Sequence, residues 1–388
     1  MFNTESLVVL AAIVGGWLVI YYLKEKGILA GLEKRGFKIE PLGFMYRTKI
    51  FNDFIERIGE KYSRIWRILS LIGVIISIYA MLLGIYFFHV NIINYFTKPE
   101  VFSPLTPVIP GVTIGLRALP YFIVAVVTVF FSHELAHAFT AVSEGIPVKS
   151  SGVFFFIIFF GAFVELDDDI MEKAKLTSKI KVLSAGSAAN FVIFYITLLL
   201  LTNLFIPYGV RISGTLEGYP AHGVLKDGDI IVSVNGTRVR SISEYMVVTA
   251  NMKPGDVIEL TVERNGKRLT ILLKMVESPK NSSKGFIGVW MENYLILKGF
   301  SNLNHKIVFS LYEVTWWIMV LNASVAVFNM LPVFVFDGAL ILSEILKKVL
   351  KEGIAKTIQL ALSTYFLAVI LLNMLLTFML PFPALRIP

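Results

Sequence analysis

The sequence predicts a polytopic α-helical membrane protein with about six transmembrane helices, a re-entrant β-hairpin and an extramembrane α+β domain. Three observations support this fold class. Hydrophobic residues make up 56% of the 388-residue chain and charged residues only 16%, against about 25% charged residues in soluble globular proteins. The apolar residues form runs long enough for the roughly 20 residues that a helix needs to cross a bilayer. The region from Tyr208 to Asn293 instead has the composition of an ordinary soluble domain.

Six apolar segments are candidate transmembrane spans. They are Leu7 to Leu23, Ile68 to Val90, Leu119 to Val142, Val182 to Ile206, Ile307 to Leu331 and Thr357 to Leu380. The loop from Lys24 to Arg67 carries eleven Lys or Arg against six Asp or Glu, and loops rich in positive charge stay on the cytoplasmic side. Alternation then places both termini outside. We therefore expect a multi-pass plasma-membrane protein with an extracytoplasmic central domain.

The charge and the cysteine count exclude several classes of protein. The formal net charge is +8, but the basic residues flank apolar spans and form no groove interleaved with aromatic residues, so no nucleic-acid partner is expected. The chain has no cysteine, which excludes disulfides and thiolate metal sites. The N-terminal apolar segment has Lys24 and Lys26 behind it and no positive charge ahead of it, so we expect a retained helix and not a signal peptide.

The segment from Gly152 to Leu166 is apolar but too short to span the membrane. Its Phe, Ile and Val content favours extended chain, which predicts a β-hairpin that enters the membrane from the cytoplasmic side and returns. Such backbone is tolerated at that depth only where protein shields it or where it lines a cavity. An unpaired strand edge there would suit an extended peptide bound by β-augmentation. The alternative is a surface hairpin that rests on the lipid.

Residues 133–137 have the form H-E-x-x-H inside the third predicted span. His133 and His137 lie on one helix face, close enough to share a zinc ion. Glu134 can then reach a water at the metal, take its proton and pass that proton to the leaving amine. The alternative is chance, or a polar pair that holds helices together. An ionisable group in hydrocarbon costs on the order of 3 kcal/mol, and three adjacent ones favour a functional site.

A catalytic zinc site needs a third protein ligand and keeps one position open. The candidate is Asp337, because His89 and His305 lie at the predicted outer ends of helices. Pro332 should break the fifth span near the level of His133, which would leave Asp337 on non-helical backbone, from which its side chain can be aimed at a metal. The alternative role for Asp337 is a helix N-cap, where Asp is a favoured residue.

The central region carries short strand patterns separated by the hairpin-turn signals Asn235-Gly236 and Asn265-Gly266. The stretch from Glu217 to Val239 resembles a PDZ domain of the type attached to prokaryotic proteases, with Pro-Ala, Gly-Val-Leu, Gly-Asp-Ile-Ile and Asn-Gly in that order. Such domains receive a peptide C-terminus in an apolar-Gly-apolar loop. The candidate loop residues are Phe286, Ile287, Gly288 and Val289.

Three features in this order resemble the site-2 protease family of intramembrane zinc metalloproteases. They are the H-E-x-x-H segment in a membrane helix, the PDZ-like domain, and the pattern N-x-x-P-x-x-x-x-D-G from Asn329 to Gly338. The resemblance covers roughly Leu119 to Leu350. It implies an enzyme that holds one Zn²⁺ per chain and cuts peptide bonds within the transmembrane segments of membrane-protein substrates, as in regulated intramembrane proteolysis.

The resemblance also implies roles for individual residues. His133, His137 and Asp337 would hold the zinc ion, and Glu134 would be the catalytic acid/base. In the small-residue motif from Ala185 to Asn190, Ser187 stands where many members have Pro. The residues expected to bind substrate or to orient the site are Asn190, Asn329, Gly161 and Phe163, the last two in a segment similar to the re-entrant hairpin of prokaryotic members.

The expected organisation has four parts. Residues 1–117 hold two N-terminal transmembrane helices with no assigned role, and residues 118–207 hold the first part of the catalytic membrane core. Residues 208–295 form the PDZ domain, and residues 296–388 complete the core and add a C-terminal span. Three alternatives stay open: a non-catalytic PDZ-bearing scaffold, a membrane-embedded metalloprotease that acts on soluble proteins, and a transporter. No second copy of either motif is present, which weakens the transporter alternative.

Overall fold

The computed structural model describes residues 4–33, 35–40, 43–109, 113–156, 159–279, 281–300 and 302–379. Its helices are α1 Thr4–Glu25, α2 Ala30–Glu33, α3 Asn52–Lys61, α4 Ser63–Thr97, α5 Leu119–Ser143, α6 Asp168–Lys173, α7 Leu176–Leu204, α8 Ile242–Thr249, α9 His305–Phe328, α10 Asp337–Val349 and α11 Glu352–Met379. Its strands are β1 Phe37–Glu40, β2 Gly43–Thr48, β3 Val148–Phe156, β4 Phe159–Leu166, β5 Phe205–Thr215, β6 Ile230–Val234, β7 Thr237–Arg238, β8 Val257–Arg264, β9 Lys267–Lys274, β10 Val276–Ser278, β11 Asn281–Phe286 and β12 Val289–Leu297. The chain divides into a membrane unit, Met1–Thr197 with Val314–Pro388, and a β-rich unit, Leu198–Glu313.

Five helices of the described part are long and apolar enough to cross a membrane: α4, α5, α7, α9 and α11. They overlap five of the predicted spans, so the chain is a multi-pass membrane protein. The remaining predicted span, Leu7 to Leu23, lies within helix α1 of 22 residues, which is not among these five. The count of six spans therefore stays a prediction.

Two predicted helix ends and the backbone conformation predicted at Asp337 differ from the structure. Helix α7 ends at Leu204 because the chain enters strand β5 there, and α9 ends at Phe328, three residues short of the predicted Leu331. Pro332 lacks an N–H and restricts the residue before it, so the chain turns ahead of it. Asp337 does not lie on non-helical backbone, because it is the first residue of α10. It is not the N-cap either, since Phe336 holds that position.

Helix α4 packs through a seam of small residues against the helices of the predicted catalytic core. The buried residues of this seam are Ser70, Gly73, Ser77, Ala80 and Gly84. A Cβ on Gly73 would lie 3.2 Å from the Cβ of Ala188 on α7, and Ser77 Oγ donates a 2.8 Å hydrogen bond to the Ser184 carbonyl of the same helix. Small residues let membrane helices approach closely. Helix α4, to which the sequence assigns no role, is thus an integral part of the bundle.

The membrane unit also contains an antiparallel four-stranded sheet with the order β1-β2-β3-β4. The predicted extended segment from Gly152 to Leu166 forms most of β3 and all of β4, while its depth in the membrane stays a prediction. Strand β2 pairs with β3 from Gly43↔Phe156 to Thr48↔Ser151. The N-terminal part of the chain therefore closes one edge of the hairpin, and no described strand pairs with the outer edge of β4.

Helix α1 is attached to this sheet. Trp17 is 5% exposed, and its ring lies 6.3 Å from the ring of Phe44 and 5.7 Å from that of Phe155. At the end of the helix, Lys24 Nζ donates a 2.6 Å hydrogen bond to the Ile39 carbonyl of β1. Residues well before the third span are thus bound to the strands that follow it.

The β-rich unit is built on a sheet with the order β12-β5-β6-β8-β9, in which β7 pairs with β6. Its core includes Val210, Ile231 and Leu260, all 0% exposed. The two predicted hairpin turns are confirmed, because Asn235 and Asn265 have φ angles of 47° and 50°, the left-handed backbone that such turns require. The strands and helix α8 agree with a small PDZ-like domain.

The carboxyl of Glu144, directly after α5, accepts hydrogen bonds from Ser178 Oγ at 2.6 Å and from Lys181 Nζ at 2.8 Å. Burial raises the pKa of Glu144, but the hydrogen bonds from Lys181 and Ser178 outweigh burial and hold this pKa below its ordinary value. Ionised Glu144 therefore stabilises the fold above its unfolded pKa of about 4.3, and this stabilisation is lost as the pH falls through the folded value.

We expect Glu144→Gln to lower the thermal unfolding midpoint at pH 7 by roughly 1–3 °C, the shift for about 1 kcal/mol in a chain of this size. Unfolding in detergent at pH 7 and at about pH 3.5 measures the effect. The difference between the variant and the natural protein should shrink at the lower pH. An equal difference at both values would contradict the assignment.

Candidate metal centre

Two imidazoles and one carboxylate converge inside the membrane unit. His133 and His137 stand one turn apart on α5, with 3.1 Å between their Nε2 atoms. Asp337 Oδ2, from the start of α10, lies 3.3 Å from each of these nitrogens. The His133 side chain is 7% exposed, and the other two are 13% exposed. In the described part of the chain, this trio is the group of His and acidic side chains that could hold a metal ion.

The spacing of the three ligand atoms fits zinc. Tetrahedral zinc with bonds of about 2.0–2.1 Å separates neighbouring ligand atoms by roughly 3.3–3.4 Å. The observed separations are 3.1 Å and 3.3 Å, with no rearrangement of the backbone needed. Two imidazoles and one carboxylate are also the donor set of a catalytic zinc site that keeps a fourth position open.

Backbone contacts orient two of the ligands. His137 Nδ1 lies 2.7 Å from the Val182 carbonyl of α7. A carbonyl only accepts hydrogen bonds, so Nδ1 carries the proton and the Nε2 lone pair is free for a metal. Next to Asp337, a Cβ on Gly338 would overlap the Met330 carbonyl, and the Gly338 N–H donates to the Asn329 carbonyl at 2.9 Å. The glycine thus lets the start of α10 lie against the segment that directly follows α9.

The two asparagines predicted to bind substrate or orient the site have different contacts in the structure. Asn329 Nδ2 lies 3.0 Å from Asp337 Oδ2 and 3.0 Å from His133 Nε2, so its amide acts on the ligands themselves. Asn190 is 0% exposed, and its Oδ1 accepts a 3.1 Å hydrogen bond from Ser132 Oγ. Its Nδ2 has no hydrogen-bond partner among the described residues. Asn190 therefore keeps a free donor beside the metal-binding helix.

Glu134, beside the first histidine ligand, is bound to the hairpin. Its Oε2 accepts a 2.9 Å hydrogen bond from the Val164 N–H of β4. The sequence predicted the carboxylate and the strand separately, and no local pattern indicated the hydrogen bond between them. Strand β4, whose outer edge pairs with no described strand, is thus bound to the candidate base.

The predicted substrate residues Gly161 and Phe163 lie on β4, in register with Phe154 and Gly152 of β3. A Cβ on Gly161 would lie 2.8 Å from the Phe154 ring, and one on Gly152 would lie 2.5 Å from the Phe163 ring. Each aromatic ring therefore covers a glycine on the other strand. The Phe163 ring thus contacts the hairpin itself, and a part of Gly161 and Phe163 in substrate binding stays a prediction.

The predicted peptide loop lies in the β-rich unit, where β11 ends and β12 begins. Ile287 and Val289 are 2% and 8% exposed, and Gly288 has a φ of 79°. The carbonyls of Ile287 and Gly288 accept 2.9 Å hydrogen bonds from Ala221 and Leu216. The ring of Phe286 packs against Tyr219, which places this loop beside the Pro-Ala segment. Peptide binding by the loop stays a prediction.

The contacts of Asn329 predict a measurable effect on the metal. Asn329→Ala removes an amide that orients Asp337, and loss of such a partner costs about 10- to 100-fold in metal affinity. We expect this loss in zinc competition with a chromogenic chelator. Asn203→Ala, at the end of α7 and exposed, is the control and should bind zinc as the natural chain does. Equal zinc affinities for the natural protein and both variants would contradict the role of Asn329 in orienting Asp337.

The chain is similar to several known proteins. The family model described as Peptidase family M50 matches residues 121–374. An uncharacterized protein of Methanocaldococcus jannaschii is 28% identical over 353 residues, which cover 87% of this chain and 84% of that protein. A membrane-bound transcription factor site-2 protease homolog of Arabidopsis thaliana is 26% identical over 64% of this chain and 51% of its own length.

Two further similarities concern parts of the chain. The regulator of sigma-W protease RasP of Bacillus subtilis is 28% identical over 53% of this chain and 48% of its own length. This chain therefore spans about half the length of the plant and Bacillus relatives. The solved PDZ domain of an SdrC-like protein from Listeria innocua is 25% identical, with a TM-score of 0.20, and covers 22% of this chain and 93% of that domain. The family match spans well over half of the chain, so the chain belongs to peptidase family M50, the site-2 protease family, and is a membrane zinc metalloprotease with a PDZ-like domain.

Proposed function

We propose that this metalloprotease hydrolyses peptide bonds inside the transmembrane segments of membrane proteins, in regulated intramembrane proteolysis. The position of the metal ligands carries the proposal. His133 lies 14 residues after the start of α5 and 10 residues before its end, which is roughly 20 Å and 15 Å along the helix. Both distances keep the site away from the ends of an apolar span. We therefore infer that the peptide bond cut at this site lies within the membrane.

His133, His137 and Asp337 would hold one zinc ion per chain, which supplies Lewis-acid chemistry at the scissile carbonyl when bound. Glu134 takes the proton of the attacking water and gives it to the leaving amine, the usual work of a positioned carboxylate. Asn329 orients Asp337. Asn190, with its free Nδ2 donor, is placed to donate a hydrogen bond to a substrate carbonyl.

A transmembrane helix must unwind before its peptide bonds can be cut, because in the helix each bond is hydrogen-bonded internally and sheltered from water. The outer edge of β4, which pairs with no described strand, would bind an unwound strand by β-augmentation. The hydrogen bond between the Val164 N–H and Glu134 ties that edge to the base. We therefore assign substrate binding to the backbone of β4, which includes Gly161 and Phe163.

The proposal includes the sidedness of the protein. From the positive loop after α1, we assign the four-stranded sheet and the active site to the cytoplasmic side of the plasma membrane. The PDZ-like unit would lie outside, where its Phe286–Val289 loop would bind a peptide C-terminus. Ile50→Cys tests this, because the natural chain has no cysteine and Ile50 is 75% exposed. Labelling of the introduced thiol by an impermeant reagent in intact cells would contradict the topology.

The cleavage reaction itself can be tested with the purified protein in detergent and a panel of single-span membrane substrates. Mass spectrometry of the products should locate cuts inside the spans. The cuts should stop when a chelator removes the metal and return when zinc is added. Cuts only in extramembrane segments would favour a protease of soluble regions. Substrates that bind but stay intact with zinc present would favour a scaffold.

A further inference from the structure

Gly186, at the middle of α7, lies directly against the metal-ligand imidazoles. A Cβ at this position would lie 2.6 Å from both Nε2 and Cε1 of His133, and closer still to Nε2 of His137. Real Cβ atoms do not approach other heavy atoms to such distances. The position of the missing methyl group therefore adjoins the two atoms that would bind the ion.

The backbone conformation at residue 186 does not require a glycine. Residue 186 is within an α-helix, where glycine is about 1 kcal/mol less favourable than alanine. Its neighbours Ala185, Ser187 and Ala188 carry a Cβ and are buried as deeply. The conformation of the chain therefore favours alanine at this position, and the two imidazoles exclude it.

We propose that Gly186 is a positioning residue, which keeps open the space beside the two ligand nitrogens so that both imidazoles and a metal ion fit together against α7. This inference rests on the proposed zinc site. Its basis is the closeness of both Nε2 atoms to one helical position that lacks a side chain.

The atoms that would meet a methyl group at residue 186 decide what the substitution costs. They are the far ends of two side chains, which can rotate away while the helices stay in place. A rotation of His137 would break the hydrogen bond between its Nδ1 and the Val182 carbonyl, and the Nε2 atoms would no longer converge on Asp337. The fold should therefore tolerate Gly186→Ala, while the metal site should not.

Metal binding tests the proposal without any measurement of activity. Zinc affinity is measured by chelator competition, and the ligand geometry by the visible absorption of the Co²⁺-substituted protein. Gly186→Ala should weaken zinc binding by at least about 10-fold, the lower end of what loss of ligand orientation costs. It should also change the cobalt spectrum and reduce the rise in unfolding temperature that zinc gives.

Gly59→Ala is the matched control. A Cβ on Gly59 would lie 2.7 Å from Cβ and Cγ1 of Val142, and rotation of the valine side chain cannot relieve this contact because Cβ is fixed to the backbone. This variant should lower the unfolding temperature and leave zinc affinity within about twofold of the natural value, since no ligand is touched. If it weakens zinc binding as much as Gly186→Ala does, general strain explains both results and the proposal is wrong.

The outcomes separate the inference from the proposed site. If the natural protein fails to bind zinc, or if His137→Ala binds it as tightly as the natural protein, the zinc site is wrong and the inference falls with it. If the natural protein binds zinc and Gly186→Ala binds it equally, with the same cobalt spectrum, only the inference is wrong. Should Gly186→Ala fail to fold, it is combined with His133→Ala and His137→Ala. Recovery of folding supports the contact with the rings, and continued failure overturns it.

Discussion

Glu134→Gln is expected to slow substrate cleavage by about 10³-fold or more, within the range that a positioned general acid/base contributes. The amide has nearly the same shape as the carboxylate and can still accept the hydrogen bond from the Val164 N–H. It cannot take a proton from water. Because Glu134 is not one of the three ligands, zinc content should stay at the natural level. Single-turnover cleavage and zinc analysis on one preparation measure both quantities.

The control for Glu134→Gln is Glu144→Gln, which removes a charge near the end of the same helix without touching the ligands. This control should cleave within about twofold of the natural rate, because Glu144 contacts no reacting group. A Glu134→Gln protein that retains more than a tenth of the natural rate would exclude Glu134 as the base. Loss of zinc in that protein would mean that the residue also supports the metal.

Asp337→Ala is expected to have the second large effect, on the metal itself. Loss of a residue that merely orients a ligand costs about 10- to 100-fold in affinity, so loss of the ligand should cost at least about 100-fold. The order of zinc affinities should be natural protein, Asn329→Ala, Asp337→Ala. Cleavage at micromolar zinc should fall with the fraction of metal-loaded protein and recover in part when excess zinc is supplied.

Asp169→Ala, an exposed position on α6, serves as the control for Asp337→Ala and should bind zinc normally. Natural affinity in Asp337→Ala would show that the two histidines take their third ligand from elsewhere. The assignment of Asp337, which rests on distances of 3.3 Å to both imidazoles, would then be wrong.

The sequence predicted the features that depend on local pattern. Hydrophobic runs located five membrane helices because span length is set by bilayer thickness, and the spacing of His133 and His137 is a property of any helix. Asp337, which comes from a segment 200 residues away, has no such local pattern, and its prediction depended on the exclusion of His89 and His305 and on the family resemblance. Its place as the first residue of α10 was missed, since the chain after Pro332 carries no N-cap side chain that would mark a helix start.

Other features give no local signal. The pairing of β2 with β3 joins segments about 100 residues apart, and nothing in the sequence of either strand indicates which strand it pairs with. The sequence indicated Gly186 only as one member of a small-residue motif. The reason for the absence of a side chain could not be predicted, because it depends on which residues surround this position in the fold. The role of Val182 could not be predicted either, because it acts through its backbone carbonyl, which every residue possesses.

The sheet has a consequence for how this enzyme can be shortened. The family match begins at residue 121, which suggests a minimal fragment without the first 120 residues. Such a fragment would lack β1 and β2 and leave β3 with a bare edge. Two exposed edges on one aromatic-rich hairpin invite copies of the fragment to join edge to edge. The N-terminal strands thus cover one edge of the hairpin against self-association. They leave only the β4 edge of the described hairpin without a partner strand, and that is the edge to which we assign the substrate.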